Sequence, residues 1–282
     1  MLFVLSAVLF SVLVSVVLKL FPRWGVDTTQ AVAWNYLVAA VLCWFMLAPP
    51  LQSLRSAQAP WAALLTLAVV LPSLFLVLGA AVRRAGIVRT DVAQRLSLLL
   101  SLLAAFTVFG ERAGALKLAG LALGLIAVAA MLVRPAGGAQ RGAVWALLTV
   151  WLGFALVDVM LKLIAQAGTP FAASLQLAFV LAFLGMMAVL GWRHARGRSR
   201  MNTRSLLAGL LLGALNFGNI VCYVQAHRAL PDSPAVVFAT MNIGVVVLGT
   251  LVGVAAFGEK TGRWNRVGIV LAVIAIGLVA LA

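Results

Sequence analysis

The chain has 282 residues, of which 65% are hydrophobic and only 10% charged, and its formal net charge is +15. That composition excludes an ordinary soluble domain. It also argues against a nucleic-acid binder, because the Lys and Arg residues sit mostly in short stretches between apolar runs, where they set membrane orientation and meet anionic headgroups.

Apolar runs long enough to span a bilayer, about 20 residues each, are predicted near 2–20, 29–48, 60–81, 90–109, 114–133, 143–165, 171–191, 205–226, 234–257 and 264–282. The first begins at Leu2 with no basic residue before it and no small-residue cleavage site after its apolar core. It reads as a retained helix rather than a removable signal peptide. Cys43 and Cys222 fall inside apolar runs and read as packing residues, not as a disulfide or metal pair. Trp24, Trp61, Trp192 and Trp264 lie at the ends of runs, as an interfacial aromatic belt would. Gly120-x-x-x-Gly124, Gly209-x-x-x-Gly213 and Gly249-x-x-x-Gly253 carry the spacing of closely packed membrane helices.

A Gly/Pro-rich linker, Arg134-Pro-Ala-Gly-Gly-Ala-Gln-Arg141, separates two groups of five runs. The groups repeat one another at an offset of 148 residues: Phe109-Gly110-Glu111-Arg112 with Gly114 and Gly120 matches Phe257-Gly258-Glu259-Lys260 with Gly262 and Gly268. An odd number of helices per half inserts the two copies upside down relative to one another. Their matching loops then carry opposite charge bias, as after the second run (Arg55 alone) and the seventh (Arg193, Arg196, Arg198, Arg200 and Arg204). Read literally, this bias puts both termini outside. The expected fold is an all-α integral membrane protein of ten transmembrane helices in two inverted five-helix repeats, 1–135 and 142–282, the architecture of secondary transporters.

Polar groups inside a bilayer are costly, and each is a candidate site by default. In the eighth run Asn216, Asn219, Tyr223 and His227 recur at helical spacing and share one face. They either line a wet cavity or bond neighbouring helices. In the fourth run Asp91 precedes Arg95 by four residues, the favourable order for an ion pair along a helix. Arg95 carries the planar fork that suits a carboxylate or phosphate. Gln94 matches Asn242 across the repeat, and two symmetry-related amides suit a site on a pseudo-two-fold axis. Trp151 is either a cavity wall or packing. Asp158 and Lys162 form a second acid-first pair, available for coupling or as a plain ion pair. The basic partner beside each acid favours facilitated transport or exchange over proton coupling. Glu111 and Glu259 read as structural turn residues: a carboxylate at a helix C-terminus opposes the dipole, so a neighbour must compensate, either Arg112 and Lys260 or the start of the following helix.

Ten helices in two halves, each with a fourth helix ending in Phe-Gly-Glu-basic and a glycine-bearing fifth, resemble the drug/metabolite transporter superfamily, in particular its bacterial EamA-like branch. Gln30 through Asn35-Tyr36 is a second local likeness. The resemblance implies a multi-pass inner-membrane carrier of small metabolites, often an exporter, with a cavity between the halves. Many members carry a proline in the fourth helix where this chain has Ser97, with Val245 as its counterpart; that departure implies a straighter fourth helix. Members are usually drawn with both termini cytoplasmic, against the charge bias here.

No His-Glu-x-x-His and no nucleophile, base and acid set at useful spacing occurs, and His194 and His227 are the only histidines. An enzyme, a cofactor and a metal site are therefore not expected. The expected partners are a small-molecule metabolite and membrane lipids, with no nucleic acid. The function read from the sequence is alternating-access transport, as an exporter or exchanger. A flippase for a lipid-linked or amphipathic substrate is the alternative.

Overall fold

The computed structural model describes residues 1–56, 58–107, 114–132, 141–199 and 201–281. The Phe109-Gly110-Glu111-Arg112 motif, most of the linker (residues 134–140) and Arg200 lie outside the described residues.

Eleven α-helices make up the described chain: α1 Leu2–Leu20, α2 Thr28–Leu47, α3 Trp61–Ala85, α4 Ile87–Arg95, α5 Ser97–Thr107, α6 Ala115–Leu132, α7 Arg141–Gln166, α8 Phe171–Ala195, α9 Thr203–Ala229, α10 Pro234–Phe257 and α11 Arg263–Ala280. A short 3-10 turn covers Leu51–Arg55, and no strand occurs among the described residues. Eight of the helices are long and apolar enough to cross a membrane. This is the architecture lipid demands, because a helix satisfies every backbone group internally. α3, α8 and α9 run past the predicted apolar limits and end in basic side chains, Arg83 and Arg84, Arg193 and His194, and His227 and Arg228. Positive charge there complements the helix dipole, so the helix continues where the apolar pattern stops.

One expectation fails. The fourth span is not straighter for lacking proline: it breaks into α4 and α5 at Leu96. Ser97, in the proline's place, turns its hydroxyl back onto the Gln94 carbonyl at 2.7 Å. A side chain that bonds the preceding turn competes with the helix's own ladder. The Leu96 carbonyl accepts from the Leu99 amide at 3.1 Å, three residues on, and from the Trp151 indole at 2.8 Å. At Val245 the matching helix α10 is continuous.

The chain divides into two compact units, each drawing on both sides of the linker. The first holds 1–16, 80–155 and 218–282, and the second 17–79 and 156–217. In the first, Val4, Ala7, Val8 and Val12 of α1 bury against Met241 and Val245 of α10, while Val92 and Leu96 meet Val246, Ala127 and Ala272 in a second cluster. In the second, α2 packs on α8, with the Tyr36 ring against Phe179 at a centroid distance of 6.0 Å and edge-on to Phe75 of α3. All three Gly-x-x-x-Gly pairs mark close approaches. A Cβ on Gly120 would stand 2.7 Å from Val279, and one on Gly213 would stand 2.8 Å from the Asn35 carbonyl.

Large apolar side chains point outward throughout, Phe45, Trp145 and Leu251 among them. On a membrane protein these are the lipid-facing surface. Trp24, Trp61, Trp192 and Trp264 are all exposed at or just beyond helix ends.

Candidate functional site

Within the first unit, α4 is positioned by a residue far away in sequence. Gly258 takes the left-handed conformation after α10, and the Glu259 amide bonds back to the Gly253 carbonyl at 3.0 Å. With the Gly258 amide on the Val254 carbonyl at 3.1 Å, this is a glycine helix stop of the αL kind. It aims the Glu259 carboxylate at the start of α4, where Oε1 accepts from the Ile87 amide at 2.7 Å and Oε2 from the Val88 amide at 3.1 Å. Glu259 is thus the N-cap that α4 lacks in its own sequence, since the cap position is Gly86. The carboxylate answers the positive end of the α4 dipole. The sequence offered Lys260 or the following helix as its compensating partner; the amides at the start of α4 also serve.

α4 and α10 then cross through the Gly249/Gly253 face. A Cβ on Gly253 would stand 2.7 Å from Val88, and one on Gly249 2.4 Å from Asp91 Oδ2. The helices therefore run antiparallel, and one turn forward on α4 corresponds to one turn back on α10. Asp91 is only 2% exposed. Its Oδ1 accepts from the Ser15 hydroxyl of α1 at 2.7 Å, while Oδ2 has no hydrogen-bond partner. One turn on, Arg95 Nη2 donates to Ser11 Oγ at 2.6 Å. The predicted acid and base of the fourth span thus each bond to α1, and two serines one turn apart on that helix receive them.

Gln94 is half-buried on α4 and Asn242 is 7% exposed on α10. The Asn242 amide nitrogen donates to the Phe238 carbonyl of its own helix at 2.9 Å. In the antiparallel register Gln94 falls near Val246, about one turn from Asn242. Trp151 is half-buried and spends its indole N–H on the broken helix at Leu96, which gives it a packing role whatever else it does.

The α9 stripe is shared between the two units. In the second, Asn216 donates to Asn35 Oδ1 of α2 at 3.2 Å. In the first, Asn219 donates to the Ala7 carbonyl of α1 at 2.7 Å, and the Tyr223 ring lies edge-on to His227 with centroids 4.5 Å apart. Both asparagines make interhelical bonds. Asp158 is exposed on α7, with Lys162 half-buried one turn later.

Several buried polar groups escaped the sequence reading. Ser11 carries no signal of its own in the sequence and Ser15 only its place as the repeat counterpart of Asp158; packing turns them onto Arg95 and Asp91. In the second unit the Tyr36 hydroxyl, Asn35 Nδ2 and Gln176 Oε1 are buried without a hydrogen-bond partner. The Gln30 to Tyr36 likeness was a signal for two of them. Gln176 gave none beyond an amide in an apolar run. Buried orphan groups are uncommon and are natural places for a ligand or ordered water.

The pattern of the EamA-like transporter family matches residues 1–133. An uncharacterised protein of Haemophilus influenzae is 38% identical over 280 residues, covering 96% of this chain and 94% of that one. The chain belongs to the EamA-like transporter family. A protein of known crystal structure aligns with a TM-score of 0.57 at 18% identity, over 98% of this chain and 96% of that one, a likeness of fold. This EamA-like protein is a multi-pass membrane protein of a solute-transporting family, and its site must be sought among polar groups inside the helices. Among the described residues no group of His, Cys, Asp and Glu could hold a metal ion.

Proposed function

We propose that this protein is an inner-membrane secondary transporter of a small metabolite, an exporter or exchanger, working by alternating access between its two inverted repeats. The observation that carries the reading is the set Ser11, Ser15, Asp91 and Arg95. A carboxylate and a guanidinium stand one turn apart inside an apolar protein, each bonded to a serine, and one carboxylate oxygen is left without a partner. Burying such groups is expensive, and packing alone does not call for them. Arg95 offers a planar fork to a carboxylate or phosphate on the solute. Asp91 Oδ2 offers an acceptor to a donor on the same solute. Gln94 and Asn242 supply amides along the same pair of helices, with Asn219, Tyr223 and Trp151 of the same unit as further contacts.

The test compares metabolites in spent medium from cells expressing wild type, Arg95→Ala, and Gln94→Ala with Asn242→Ala, at matched membrane levels. A compound that accumulates with wild type and not with the variants is the expected result. An anionic compound lost on Arg95→Ala supports the charge argument. Equal medium from all strains would sink the exporter reading and move a lipid-linked substrate forward.

A further inference from the structure

The second unit carries a groove that the transport reading does not use. Its volume is about 450 Å³. One wall is the turn after α1, with Arg23, Trp24 and Val26; the other is the first three turns of α9, with Arg204, Leu207 and Leu211.

The groove is built, not incidental. The chain leaves α1 through Gly25, at φ 64, with the Val26 amide bonding back to the Phe21 carbonyl at 3.0 Å and the Gly25 amide to the Pro22 carbonyl at 3.3 Å. One residue further on, the Asp27 amide donates to Ser205 Oγ at 2.9 Å. This bond fixes the turn against α9 and brings Arg23 to the same groove as Arg204. Asp27, the acid nearest to Arg23 in sequence, is already engaged. Its carboxylate caps α2 at the Thr29 amide (2.8 Å), pairs with Arg193 Nη2 (3.2 Å) and accepts from Ser199 (3.3 Å). Neither Arg23 nor Arg204 has an acidic partner among the described residues.

The two guanidiniums stand at the head of an apolar stripe. Arg204, Leu207 and Leu211 share one face of α9 at helical spacing, and Leu207 is 61% and Leu211 45% exposed. Trp24, 39% exposed, flanks the arginines at the position of an interfacial aromatic. A free anion would need the arginines alone, whereas the exposed leucines below them match an acyl chain. We propose that this groove is a binding site for an anionic phospholipid, its phosphate held by Arg23 and Arg204 and its chain laid along Leu207 and Leu211.

The test is native mass spectrometry of the detergent-solubilised full chain titrated with phosphatidylglycerol or phosphatidylcholine. Wild type is expected to retain one phosphatidylglycerol in preference to phosphatidylcholine. Each of Arg23→Gln and Arg204→Gln, on exposed side chains, is expected to weaken that binding about fivefold, the worth of one basic residue near an anionic surface. Arg196→Gln removes the same charge from outside the groove and is expected to leave binding unchanged. The proposal is overturned if phosphatidylcholine binds equally well, if the two groove variants bind like wild type, or if Arg196→Gln weakens binding as much as they do. Displacement of the lipid by millimolar glycerol phosphate would reassign the groove to a soluble phosphate and overturn the lipid assignment. Thermal midpoints of the variants, measured alongside, separate lost binding from lost fold.

Discussion

Glu259 closes one helix and opens another: its carboxylate accepts from the amide of Ile87, 172 residues earlier, at 2.7 Å. The Gly-Glu turn that marks the end of the ninth span is therefore also what anchors the start of the fourth. It holds α4, and with it Asp91 and Arg95, against α10. The family motif is in this protein a device for setting the angle and register of the helix that carries the candidate site.

Removing that cap is expected to destabilise the protein. Glu259→Ala should cost about 1.5–3 kcal/mol, the range for hydrogen bonds to a charged group. Glu259→Gln, which keeps a single acceptor oxygen, should cost less. Gly86→Ala should be at least as harmful as Glu259→Ala, because Gly86 sits at φ 93 and a Cβ there would meet Glu259 Oε2 at 2.5 Å. Unfolding midpoints in detergent check the ranking. Wild-type midpoints for Glu259→Ala would show that α4 needs no cap.

The Asp91 carboxylate should matter more for transport than for stability. Asp91→Asn keeps the shape and can still accept from Ser15, so its unfolding midpoint should stay near that of wild type. Its transport, measured as release of the substrate found by metabolite comparison, is expected to fall at least about tenfold, the size of a lost charge-assisted contact. Gly249→Ala should damage both, since its Cβ would press on Asp91 Oδ2 at 2.4 Å. Full transport by Asp91→Asn would remove the carboxylate from the site.

The glycines of α8 and α9 behave differently, as the Gly-x-x-x-Gly spacing present only in α9 implies. Gly209 and Gly213 face α2 backbone, where a Cβ would stand 2.6 Å from the Ala31 carbonyl and 2.8 Å from the Asn35 carbonyl. Alanine at either is expected to cost about 1–3 kcal/mol, as overpacking does. Gly185 and Gly191 on α8 have nothing within 4 Å of the same position. Alanine there should be neutral or stabilising by up to about 1 kcal/mol through helix propensity. Thermal scans of the four single variants decide it, and equal losses at all four would refute the packing account.

Asp27 ties together the cap of α2, the end of α8 and the turn after α1. Asp27→Ala is expected to cost more than Arg193→Ala, because it removes a helix cap worth about 1 kcal/mol as well as the pair with Arg193. Asp27→Asn should retain the cap and lose the pair, worth up to about 1 kcal/mol at this partial exposure, together with the Ser199 bond to the same oxygen. A double-mutant cycle on Asp27 and Arg193 measures the coupling directly. Strictly additive losses would mean that the pair contributes nothing.

Much of the membrane topology was legible from residue order alone. Leu2–Leu20, Thr28–Leu47 and Pro234–Phe257 begin and end within a residue of where the apolar runs do. The fourth span was misjudged because its break depends on Ser97 bonding to Gln94 and on Trp151, more than fifty residues away, taking the Leu96 carbonyl. Helical spacing put Asn216 and Asn219 on one face. It could not say that one would bond α2 and the other α1.

Hydropathy, charge placement and the repeat determined what the chain is, a multi-helix membrane protein of a transporter family. They suffice because lipid imposes its demand locally: each span must be apolar over its own length and satisfy its own backbone. The tertiary structure alone decided which polar groups meet. Glu259 on the amide of Ile87, Ser15 on Asp91 and Ser11 on Arg95 join residues distant in the chain. Such partners are chosen by helix register and by where a glycine lets two backbones approach, and no local pattern encodes that choice.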